Sequence, residues 1–123
     1  MLGLFGNKTE REIRRLNKDA PNIIEYSYQI LSTETVRDAA LMTAEHLEHV
    51  RQVYMGNSSG PERVIAKYKT HLKEAALRHD NVKLTAFALV VIYVRAEPHG
   101  EACAPARQAI DEFISQWAHA TED

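Results

Sequence analysis

Only one cysteine, Cys103, occurs in the 123 residues, so no intrachain disulfide forms and folding has to rest on a hydrophobic core. Proline and glycine are scarce, at four and five, which excludes collagen-like, proline-rich and low-complexity architectures. Neither sign of charge dominates. Fifteen Lys and Arg stand against 17 Asp and Glu, a formal net charge of −2, and that balance argues against a general nucleic-acid binder. The longest apolar run, Ala86 to Val94, has nine residues, well short of the roughly 20 that a membrane span requires. The opening Met1 to Gly6 offers too short an apolar stretch for a secretory leader and has Leu, not Gly, at position 2, which excludes myristoylation. A cytoplasmic protein, at most peripheral to the inner face of a membrane, is the expectation.

What the chain does have is an ordinary globular composition, 45% apolar and 26% charged, sufficient for one packed domain over 1–123. Residues 1–8 read as a mobile N-terminal segment and 120–123 as a frayed tail. Charge is distributed unevenly: residues 61–95 carry seven bases against three acids, whereas 96–123 set Arg107 alone against Glu97, Glu101, Asp111, Glu112, Glu122 and Asp123.

Helical periodicity organises most of the sequence. Ser32 or Thr33 caps a helix to about Met55, along which Val36, Ala40, Ala44, Leu47, Val50 and Tyr54 follow at three- and four-residue steps. Gly56-Asn57-Ser58-Ser59-Gly60 reads as a turn. Pro61 then opens a helix with Val64, Ile65, Tyr68, Leu72, Ala75 and Ala76 inward. Asp80 or Asn81 caps an apolar segment that ends at Pro98-His99-Gly100, and a last helix runs from near Pro105 to about His119. At the start, Thr9-x-x-Glu12 has the spacing of a capping box for a short basic helix, and Asp19-Ala20-Pro21 reads as a break.

Two segments suit either period. Residues 23–31 alternate at strand spacing yet also form a helical stripe, and 87–94 are rich in β-branched and aromatic side chains. Two strands without a third make a marginal sheet, so the expected fold is all-α: a compact bundle of four to six helices around a central apolar helix at about 82–95. The alternative is an α+β fold with short strands at 23–31 and 87–94.

No residue set announces a reaction. His46, His49 and His71 have ligand-like positions on two successive helices, but no Glu-x-x-His pair exists, and His49 falls half a turn from the Leu47 and Val50 stripe. They stand as weak metal candidates, expected to be solvated surface histidines. Cys103 precedes the last helix, where backbone donors favour a thiolate, but Glu101 and Pro105 oppose that effect. A small, partly buried loop residue is the expectation there. No cofactor is called for, and the chain leans away from being an enzyme.

The N-terminus has the most distinctive chemistry. Leu4 and Phe5 precede Lys8, Arg11, Arg14, Arg15 and Lys18, a pairing of apolar and basic side chains suited to an anionic membrane surface or to another protein. Phe5 to Lys18 resembles the opening of the preprotein-translocase motors, in which a Phe-Gly pair leads into a basic helix. The likeness covers fourteen of 123 residues with no nucleotide-binding motif behind it, so it implies a translocation-associated role and does not place the chain in that family. The candidate interaction residues are Leu4, Phe5, Arg11, Arg14, Arg15, Lys67 and Lys73. The favoured function is a non-enzymatic helical module that binds another protein, expected to be homodimeric. A peripheral membrane or translocase-associated factor is the first alternative, and a small metal-binding or thiol-dependent enzyme the second.

Overall fold

Apolar side chains all round a segment force it into the interior, and Asn81–Ala96 obeys that rule. Leu89, Val90 and Val94 are sealed from solvent, and Thr85, Ala86, Phe87, Ile92, Tyr93 and Ala96 are buried with them. Each large apolar side chain so buried contributes roughly 1.5–3 kcal/mol relative to exposure. The computed structural model describes residues 2–54 and 60–118, with side chains from Lys8 onward. Its elements are α1 (Leu2–Ile30), α2 (Thr33–Val53), α3 (Gly60–Leu77), α4 (Asn81–Ala96), a 3-10 stretch (Glu97–Cys103) and α5 (Ala104–Ala118). The turn expected at 56–59, the tail at 120–123 and the side chains of Leu4 and Phe5 lie outside the described residues.

The remaining helices pack around α4, which touches α1, α2, α3 and α5. α1 also packs on α5, and α2 on α5, whereas α2 and α3 have little contact with each other although both rest on α4. This all-α bundle excludes the α+β alternative. Residues 23–31 continue α1 and 87–94 belong to α4, with no strand among the described residues. Burial decides the first case: Ile24 and Ser27 face inward while Tyr26, Tyr28 and Ile30 do not, which is a helical pattern.

The break expected at Asp19-Ala20-Pro21 is absent, because α1 runs 29 residues with Pro21 inside it, about 43 Å. Proline there deprives the Asn17 carbonyl of its amide partner. Pro21 is exposed, and the buried seam of Leu16, Ala20, Ile24 and Ser27 continues past it, so tertiary packing holds both halves in one helix. Thr9 does not cap a helix, since α1 has already begun at Leu2.

Two of the expected caps form. Ser32 accepts from the Thr35 amide at 3.3 Å, and Asp80 accepts from the Lys83 amide at 3.1 Å. α5 is capped from a distance: the Asn17 side chain on α1 accepts from the Ala106 amide at 3.1 Å and donates to the Ala102 carbonyl at 2.9 Å. Each bond contributes about 1 kcal/mol, and together they fix α1 against the entry to α5.

α3 ends in a Schellman turn, with the His79 amide donating to Ala76 at 3.2 Å and the Asp80 amide to Ala75 at 2.9 Å. His79 therefore adopts a left-handed conformation, φ 53°, which costs a residue with a Cβ roughly 1–2 kcal/mol. Because His79 is exposed, His79→Gly should stabilise the fold by about 1 kcal/mol, read as a higher urea midpoint at unchanged slope. A lower midpoint would contradict this account of the turn.

Candidate functional site

Since α2 and α3 both lie on α4 but stand apart from each other, a trough opens between them. Its floor is aromatic. Phe87 of α4 and Tyr68 of α3 meet at 5.5 Å between ring centres, and His46 of α2 and His71 of α3 pack on Phe87 at 5.0 and 5.4 Å. One end of the trough, about 280 Å³, is flanked by Glu45, His49 and Lys67; the other, about 370 Å³, by Met42, Glu74, Arg78 and Lys83. His46 and His71 line both ends.

The two histidines expected at the solvated surface are thus half-buried in a shared cleft, while His49 is exposed as its register implied. The apolar stripe of α2 misled on His46 because that residue neighbours Leu47 on the helix and reaches across to α3. Among the described residues, no group of three or more His, Cys, Asp or Glu side chains is placed to hold a metal ion.

Tyr68 is 1% exposed, and its hydroxyl lies 2.7 Å from His46 Nδ1. The phenol hydrogen has that nitrogen as its hydrogen-bond partner among the described residues, so the satisfied arrangement is phenol donating to Nδ1, with the imidazole hydrogen on Nε2. Burial holds the His46 pKa below 6.5, reinforced by His71, His49 and Lys67 and opposed by Glu45. Protonation would also turn Nδ1 into a donor and strand the phenol hydrogen in the core. Burial raises the Tyr68 pKa in turn, so the phenol remains a donor.

Cys103 is fully buried at the end of the 3-10 stretch. Burial raises its thiol pKa, Arg107 opposes, and Glu12 adds to the rise. The thiol-dependent reading therefore lacks a reachable nucleophile. His99, in the same stretch, is engaged by Glu12 at 3.1 Å, which also faces Arg95 at 3.7 Å.

A second concavity lies between α1 and α5. It is a groove of about 350 Å³ whose walls include Pro21, Ile24, Tyr28 and Phe113, with Glu25 and Glu112 on its rim. Tyr28 also accepts from the Trp117 indole at 3.1 Å. Of the basic candidates, Arg11, Arg14, Arg15 and Lys73 are exposed, and exposed Lys67 reaches the Tyr54 hydroxyl at 3.4 Å. No described helix is long and apolar enough to cross a membrane.

These features define a small all-α bundle whose concavities include a trough between α2 and α3 and an apolar groove between α1 and α5. No protein-family model matches the chain, and no curated protein or solved structure matches it either.

Two outcomes follow from the site. For His46 the unfolded pKa exceeds the folded one, so its contribution to stability is complete above pH 6.5 and is lost as pH falls below that value. The urea midpoint should drop between about pH 7.5 and pH 5, and His46→Gln, which retains an acceptor for Tyr68, should flatten that dependence. An unchanged slope in the variant would contradict the assignment. For Cys103, a thiol-specific disulfide reagent at about pH 8 should label the native protein at least about a hundredfold more slowly than the urea-unfolded chain. Rates within about tenfold of each other would show an accessible thiol.

Proposed function

We propose that this chain is a non-enzymatic helical interaction module that pairs with a second copy of itself through the α1/α5 face. One observation carries the reading. Arg11, Arg14, Lys18, Pro21, Glu25 and Tyr28 are all exposed and follow one another along α1 at three- and four-residue steps, forming one stripe. The stripe is basic at one end and acidic and aromatic at the other, with its midpoint between Lys18 and Pro21. Its acidic end is also a wall of the apolar groove.

A stripe of that kind is complementary to its own antiparallel copy. A two-fold axis through its midpoint sets Arg14 opposite Glu25 and Arg11 opposite Tyr28, each pairing occurring twice, as an isologous interface requires. The groove between Ile24 and Phe113 then receives apolar contact from the partner, while the charge pairs fix register. Among the described residues Arg14 has one ion pair, an exposed contact of 3.9 Å to Glu10, a kind of pair that contributes little and is readily exchanged.

Sedimentation equilibrium at high micromolar concentration should give twice the 13.9 kDa chain mass. Glu25→Arg should weaken self-association at least about tenfold, and combining it with Arg14→Glu should restore it. A monomer at high concentration, or a dimer indifferent to both substitutions, would overturn the proposal.

A further inference from the structure

We infer that the α2/α3 trough is a binding site for a small planar monoanion, an aromatic carboxylate being the ligand class that its walls fit. The inference is independent of self-association, because the trough and the α1/α5 groove are built from different helices.

The shape of the site comes first. At about 370 Å³, the end of the trough beside Met42 and Phe87 has the size of a small-molecule pocket. Phe87, 7% exposed beneath the His46, Tyr68 and His71 rings, supplies an apolar floor, and a ring placed over that opening removes water from a surface that cannot hydrogen-bond to it. His71, tilted 37° to Phe87, presents a second ring beside it, and the Met42 thioether is suited to the edge of a bound aromatic ring. Flat ligands fill such a space with little conformational entropy to lose.

The polar groups around that floor are mostly donors. His46, which lines the trough, has its Nδ1 occupied by Tyr68, so its hydrogen is on Nε2 and available to donate. Arg78 and Lys83 stand at the mouth, and Glu74 is the one carboxylate at that end. Arg78 and Lys83 stand against Glu74 and the Asp80 beside Lys83, a balance near zero, so a doubly charged phosphate, which would meet Glu74 here and Glu45 at the other end, is disfavoured relative to a monoanion. Lys83 shares its charge with Asp80 at 4.0 Å, while Arg78 has no ion pair among the described residues. Arg78 is therefore the anchor. Its planar fork binds carboxylate oxygens through two parallel bonds, which an ammonium group cannot do.

A purely structural role explains this arrangement less well. A core that needed only to be filled would close the gap between α2 and α3 with leucines, as happens where α2 meets α4 through Leu47 and Val50. Instead the helices are held apart over an aromatic floor by polar rings, and a guanidinium with no ion pair among the described residues stands beside it.

Benzoate is the probe, with acetate testing the carboxylate alone and benzyl alcohol testing the ring alone. In titrations of the full chain followed by proton–carbon NMR of the imidazole and Phe87 ring signals, benzoate should give saturable shifts at His46, His71 and Phe87. Acetate and benzyl alcohol should bind at least about tenfold more weakly. Arg78→Gln alters an exposed residue, so the fold should persist while benzoate affinity falls at least about tenfold. Affinity equal to that of acetate or of benzyl alcohol would overturn the inference. So would shifts that never saturate or that scatter over the exposed lysines, or an Arg78→Gln variant that binds as the parent does.

Discussion

Everything in this molecule is positioned by the interior helix α4. Most of its surface is buried, with a narrow stripe through Asn81, Leu84, Ala88, Val91 and Arg95 at least partly exposed, so α1, α2, α3 and α5 all rest on it. With one thiol and hence no covalent staple, the fold of so short a chain depends on that shared contact. Deleting a sealed side chain such as Leu89 would cost roughly 2–5 kcal/mol, a large share of the 5–15 kcal/mol by which such domains are stable. The trough between α2 and α3 follows from the same constraint. Neighbours that lie on a common rod do not have to pack backbone to backbone, and α2 and α3 meet instead through side chains such as His46 and Tyr68.

Buried polar groups are handled locally almost everywhere. Ser27 donates to the Ile24 carbonyl at 2.6 Å, Thr43 to Ala39 at 2.7 Å and Thr85 to Asn81 at 2.8 Å, so each hydroxyl is satisfied by its own helix. These three place no demand on a neighbouring helix. Asn17 is different, because its amide group satisfies the entry to α5 from α1 and couples two elements separated by 89 residues in sequence at the Ala106 contact. Arg37 Nε is buried with no hydrogen-bond partner among the described residues, and nothing in the structure explains it.

The parts of the fold visible in the sequence were those governed by local chemistry. Ser32 and Asp80 cap because their short oxygen-bearing side chains precede apolar periodicity, and α4 is interior because no polar residue interrupts 86–94. Pro21 was misleading for the opposite reason. The local cost of a missing amide is evident in sequence, whereas the seam of Leu16, Ala20, Ile24 and Ser27 that overrides it gains its energy from α4 and α5. His46 and His71 showed the same limit. Their helix registers were readable, but the gap between α2 and α3 is a property of how both sit on α4, and no spacing along either helix encodes it. The exposed stripe on α1 was legible only in part: its bases were evident, but its continuity with Glu25 and Tyr28 required α1 to be one helix.

Tyr68 gives the strongest reason to regard the trough as more than a packing defect. A phenylalanine would fill the same volume without a hydroxyl, and a leucine at position 46 would close the cleft with no titratable group. Burying the phenol demands an acceptor, because an unsatisfied hydroxyl there costs about 1–3 kcal/mol. His46 meets that demand only in its neutral form, which ties the packing of the core to the protonation of a ring that also lines an open cleft. Departures of this kind from the cheapest apolar solution concentrate where a protein binds or reacts. Here they concentrate in the cleft that α4 leaves between α2 and α3, on a wall of the bundle where imidazole, phenol and guanidinium groups gather around a single phenyl ring.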